Sequence, residues 1–121
     1  MPDNLALQAA MAAAHFDAGN WNAAVDSSMA VVGRMPSAKW MQSIRGRALA
    51  KLGRWNEAKD ALRRSSRGDV TDVRYLQWEA EGWLQHGDMT EARTLLEHAA
   101  EVDPDDAIIR RALLALAVRS E

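Results

Sequence analysis

The chain has 121 residues, of which 48% are hydrophobic and 26% charged, enough for one modest core and too apolar for a disordered chain. Its lack of cysteine excludes disulfides, thiolate metal sites and a cysteine nucleophile, and its formal net charge of −2 argues against a dedicated nucleic-acid binder. No apolar run approaches the roughly 20 residues that a membrane helix needs. Met1-Pro2-Asp3-Asn4 has no basic segment leading into an apolar one, so no signal peptide is expected and the expected location is cytoplasmic.

Apolar residues at helical spacing predict helices near 5–18, 22–34, 38–52, 56–67, 72–86, 90–102 and 106–119. The first predicted helix runs into Gly19, which opens the phrase Gly19-Asn20-Trp21-Asn22-Ala23-Ala24. The phrase returns after the third and fifth helices as Gly53-Arg54-Trp55-Asn56-Glu57-Ala58 and Gly87-Asp88-Met89-Thr90-Glu91-Ala92, each 34 residues after the one before. Seven residues ahead of each glycine stands a small residue, Ala12, Gly46 or Ala80. Pro36 and Pro104 follow Gly19 and Gly87 by seventeen residues, and between them Gly68-Asp69-Val70 takes the place of the proline turn.

Each recurring residue has a physical role. The glycine ends the first helix of a pair in the left-handed conformation, which costs it little. The aromatic two residues on, Trp21 or Trp55 with Met89 as the softer substitute, fills the corner between the paired helices. Ala24, Ala58 and Ala92 face Ala12, Gly46 and Ala80 where the pair approaches closely. Proline bars continuation of the second helix. In the seventh helix Ile109, Ala112, Leu113 and Leu116 form the stripe that covers the last pair, while Ile108, Leu114 and Val118 lie off it.

This pattern resembles the tetratricopeptide repeat family, whose unit is a 34-residue helix–turn–helix. The resemblance runs from about Leu5 to Asp106 and is strongest at Gly53, Trp55, Ala58, Gly87, Ala92, Ala99 and Pro104. It departs where Arg45 and Glu79 replace the family's large residue ahead of the small one. It implies an all-α, right-handed α-solenoid, a single domain over 1–121, with repeats at about 5–36, 39–70 and 73–104 and a capping helix at about 106–119.

Catalytic chemistry has no foothold. His15, His86 and His98 fall on different helices with no His-x-x-x-His or Glu-x-x-His pair, so no metal and no cofactor is expected. Asp103-Pro104-Asp105-Asp106 lacks the glycine and closing glutamate of a calcium loop and reads as a helix stop followed by an acidic N-cap. Glu79 and Glu81 point to different sides of one helix and make a poor acid–base pair.

In the family that the chain resembles, the first helices line a concave groove that receives a peptide. By 34-residue offsets the corresponding stripes are Ala6, Ala9, Ala13, Phe16 and Asp17, then Trp40, Ser43, Arg47, Ala50 and Lys51, then Arg74, Gln77, Glu81, Leu84 and Gln85. Trp40 is the expected anchor, the alternative being burial against the preceding repeat. Trp78, one residue off the third stripe, fits core and groove equally, and Trp83 fits the core between helices. Some family members clamp a terminal carboxylate through Lys, Asn and Arg. Here those places hold Ala9, Ala13, Ile44, Arg74 and Trp78, of which only Arg74 suits, so recognition of heat-shock chaperone tails by that clamp is not expected.

Charge is uneven along the chain, −3 over 1–33, +7 over 34–74, −8 over 75–106 and +2 over 107–121. Lys59, Arg63, Arg64 and Arg67 read as a solvated face on the second helix of the middle pair; the sharper reading is steering of an acidic protein segment. The expected function is non-enzymatic binding of a protein or peptide in the groove, as adaptor or scaffold. The alternatives are a small bacterial secretion-type chaperone shielding a client, or self-assembly through Ile108, Leu114 and Val118. The excess of arginine over lysine hints at a bacterial source.

Overall fold

The structure, a computed structural model, describes residues 4–67 and 72–119. They form seven α-helices and, among the described residues, no strand: α1 (Leu5–Asp17), α2 (Trp21–Val32), α3 (Lys39–Lys51), α4 (Trp55–Ser66), α5 (Arg74–His86), α6 (Met89–Val102) and α7 (Ala107–Arg119). The all-α expectation is met, with every helix within two residues of its predicted bounds. The expected turn at Gly68-Asp69-Val70 lies outside the described residues. No described helix is long and apolar enough to cross a membrane.

The repeat is visible in the backbone. Gly19, Gly53 and Gly87 have φ of +79°, +77° and +93°, and no other described residue has a positive φ. The amide after each glycine donates to the carbonyl five residues back: Asn20 to His15, Arg54 to Leu49 and Asp88 to Trp83, at 2.8, 3.0 and 2.9 Å. This six-to-one bond closes a helix whose last carbonyls would otherwise lack donors. Pro36 acts later than the sequence suggests. Helix α2 already ends at Val32, where the amides of Arg34 and Met35 both donate to Val31 O, ahead of Pro36.

The helices gather into two compact units, Met1–Ser65 and Ser66–Glu121. In the first, Ala12, Ala24, Val25, Val31, Met41, Ile44, Ala48, Leu49 and Ala58 form a continuous core. The predicted close approaches are all buried, and one is tighter than alanine permits. A Cβ added to Gly46 would lie 2.6 Å from Leu62 Cγ and 3.0 Å from Leu62 backbone N. In the second unit, Leu76, Ala80, Trp83, Ala92, Leu96 and Ala99 are buried, and α7 adds Ile109 and Leu116 from its expected inner stripe. Asp106 caps α7 as expected, its Oδ1 accepting from Ile109 N at 3.0 Å.

Candidate partner-binding faces

In the first unit α1 and α3 are neighbours, and the expected groove residues Phe16 and Arg47 meet across them. The Arg47 guanidinium carbon lies 4.5 Å from the Phe16 ring centroid, a cation–π distance. Arg47 Nε donates to Ser43 O at 3.3 Å and Nη2 lies 3.5 Å from Ser43 Oγ, so the guanidinium is held from two sides. The Phe16 ring meets the Trp21 ring edge-on at 5.2 Å, and Lys51 Nζ lies 6.0 Å from the Trp21 centroid. The result is a row of two aromatics with a cation at each end. Trp21, read from sequence only as a corner filler, belongs to this row, because the turn at Gly19 folds the start of α2 back onto the end of α1.

Trp40 stands in the first turn of α3 with 47% of its surface exposed, and Ala9 and Ala13 on α1 are half-buried. Ser43 requires a correction. It was expected to line the groove, but it is fully buried, its Oγ donating to Trp40 O at 2.9 Å. A short hydroxyl satisfied by a carbonyl of its own helix sinks beneath the surface, where it supports Arg47 instead of meeting a partner.

The α5 face, in the second unit, is built differently. The Arg74 guanidinium donates to Gln77 Oε1 and pairs with the Asp106 carboxylate, and Gln77 Nε2 donates onward to Glu81 Oε1 at 2.9 Å. Asp106 thus serves twice, capping α7 with one oxygen and holding Arg74 with the other. The one residue suited to a carboxylate clamp already faces a carboxylate of its own chain. What this face offers outward is the exposed Glu81 and Gln85. Trp78 is half-buried and meets Tyr75 edge-on at 5.6 Å, between the two placements that the sequence left open.

In the sequence Glu79 stands out as a departure from the repeat and as half of a poor acid–base pair with Glu81, and neither reading gives its place in the fold. It is 3% exposed, accepting from Ser66 Oγ and, at 3.0 Å, from Trp83 Nε1. The spacing of four residues between Glu79 and Trp83 on one helix was the available signal. Trp83 is in the core as expected. On α4, Arg64 pairs with Asp60 one turn back, both half exposed, and Arg54 pairs with Glu57. Of the four central bases, Arg63, Arg64 and Arg67 are exposed and Lys59 is half-buried. On α7, Ile108, Leu114 and Val118 are exposed.

No family model matches the sequence, and no curated protein matches it closely enough to count as a relative. Solved structures do match in shape. The Arabidopsis OM64 TPR domain superposes with a TM-score of 0.83 at 16% identity, covering 95% of each chain. The TPR2B domain of yeast Sti1, solved as a pHsp70 complex, gives 0.82 at 21% identity over 95% of this chain and 97% of that one. The fold is that of a tetratricopeptide-repeat domain. The Yersinia enterocolitica type III secretion chaperone SycD, in complex with a peptide of the translocator YopD, shares the fold with a TM-score of 0.82 at 19% identity, over 98% of this chain and 96% of that one. Plant, yeast and bacterial domains thus share this chain's fold at 16%, 21% and 19% identity to it.

Proposed function

We propose that the protein is a non-enzymatic interaction module that holds an extended segment of a protein partner on its α1–α3 face. The observation that carries this reading is the exposed Trp40 on the same helix as Arg47 and Lys51. Trp40 supplies a large apolar contact at low entropic cost, and the two cations, steadied by aromatic rings, supply charge. The helical rise of 1.5 Å per residue sets Arg47 about 10 Å and Lys51 about 16 Å along α3 from Trp40. An extended peptide advancing roughly 3.3 Å per residue would match these with a bulky apolar residue and acidic residues about three and five positions away. The α5 face of the second unit, taken by itself, has Arg74 paired with Asp106 and Glu81 exposed, and would favour a neutral or basic group.

A second reading is that of a client-shielding chaperone, supported by the similarity to SycD and by the alanine-rich α1. Both readings use the same residues and differ in the occupant. A randomised peptide library panned against the wild type and against a Trp40→Ala/Arg47→Ala variant tests the face. The wild type is expected to enrich peptides with the apolar–acidic spacing given above, and the folded variant to lose them. Equal enrichment by both would remove the α1–α3 face from the account.

A further inference from the structure

Solenoids normally end in repeats with a polar outer face, because each unit buries only the surface that its neighbours cover. Helices α1 and α7 each carry an exposed apolar stripe among the described residues. Helix α1 is LALQAAMAAAHFD, apolar on nearly every side, and Asp17 is its only acidic or basic residue apart from His15. A helix apolar all round is normally buried, yet Ala6, Leu7, Ala10, Met11 and Ala14 are exposed, Leu7 by 54%. These residues share the side of α1 turned away from Ala12, and Asp17 continues the stripe. On α7, Ala107, Arg111, Leu114 and Val118 recur at spacings of three and four, with Leu114 and Val118 exposed by 67% and 71%. Ala107, Arg110, Arg111 and Leu114 line a shallow open hollow on this side. Ile108 sits on the flank of that stripe, about a third of a turn from Leu114.

Charge tells the two faces apart and pairs them. Residues 1–33 carry three aspartates and no Lys or Arg, and Asp17 makes no ion pair among the described residues. Helix α7 carries Arg110, Arg111 and Arg119 and no acid, and none of the three is in an ion pair among the described residues. Two α7 faces brought together would set Arg110 and Arg111 against their copies, and two α1 faces would leave α7 uncovered. We infer that the occupant of each face is a second copy of this chain, with α7 of one copy seated on α1 of the next: Leu114 and Val118 against Leu7 and Met11, and Arg110 and Arg111 near Asp17. Such a head-to-tail contact is heterologous, so any assembly that has not closed into a ring keeps one free α1 and one free α7 and grows with concentration.

The test uses two blocked chains at exposed positions, Leu7→Glu/Met11→Glu and Leu114→Glu/Val118→Glu, checked for wild-type helicity by circular dichroism. By sedimentation velocity over roughly 1–200 µM, the range in which contacts of about 5–8 kcal/mol are seen, the wild-type mean mass rises steadily past the dimer. Each blocked chain alone stays monomeric, and an equimolar mixture forms a one-to-one dimer that grows no further. Should either glutamate pair disturb folding, Arg110→Glu/Arg111→Glu blocks the same contact through charge and also stays monomeric. A monomeric wild type throughout, a blocked chain that dimerises by itself, or a mixture that stays monomeric would each overturn the inference.

Discussion

Gly46→Ala is a severe change for one methyl group, and its cost can be worked from the contacts. In isolation alanine is better than glycine inside a helix by about 1 kcal/mol. Here the new Cβ falls 2.6 Å from Leu62 Cγ, 2.8 Å from Cδ2 and 3.0 Å from the Leu62 backbone nitrogen. A rotamer change at Leu62 would free the side-chain atoms but not the backbone nitrogen, so α3 and α4 must separate by some tenths of an ångström. Overpacking of this kind costs about 1–3 kcal/mol, and the backbone clash sets it toward the upper end. The net loss is about 2 kcal/mol, or roughly 8 °C in Tm at about 4 °C per kcal/mol for a chain of this size. The expected coupling sharpens the test. In a Leu62→Ala background, itself costing about 2–5 kcal/mol, the side-chain clash is gone and Gly46→Ala costs less by about 1 kcal/mol or more. Urea unfolding followed at 222 nm for the four members of the cycle measures all of this. A Gly46→Ala variant as stable as the wild type, or equal costs in both backgrounds, would refute the reasoning.

Substitutions at two further positions test local networks by the same unfolding measurement. Glu79→Ala removes the acceptor shared by Trp83 Nε1 and Ser66 Oγ in a buried site and is expected to cost about 1–3 kcal/mol. Glu79→Gln keeps an acceptor and is expected to cost less; the reverse order would count against the network. Asp106→Ala loses both the α7 cap and the partner of Arg74, an expected loss of about 1–2 kcal/mol. Asp106→Asn keeps the cap and is expected to lose less than half of that, so equal losses would mean that the ion pair dominates.

How much was legible in the sequence follows from what is periodic. The glycine turns, the alanine contacts and the helix bounds repeat at 34 residues, so each position is constrained three times over, and all three glycines have the expected backbone. The inner stripe of α7 was legible because one face must be apolar to cover the last pair. What escaped was peculiar to one repeat. Ser43 is equivalent to Ala9 and Gln77 at 34-residue offsets, and nothing in the spacing says that its hydroxyl turns inward to Trp40 O. The pairing of Arg74 with Asp106 spans 32 residues and joins a helix start to a helix cap, a contact that no local pattern encodes. Trp21 escaped for a different reason: one side chain serves both as a corner filler and as part of a surface row, and the repeat pattern records only the first role.

Trp40 carries most of the proposed binding, and a calorimetric titration with a peptide enriched by the wild-type chain measures its share. A tryptophan side chain can bury about 150–250 Å², and the 47% that Trp40 leaves open is about 100 Å². Covering that area is worth about 2.5 kcal/mol at ~25 cal/mol per Å². Trp40→Ala is therefore expected to weaken binding by about 70-fold while the helical signal stays at the wild-type level. An unchanged Kd for the folded variant would contradict the account.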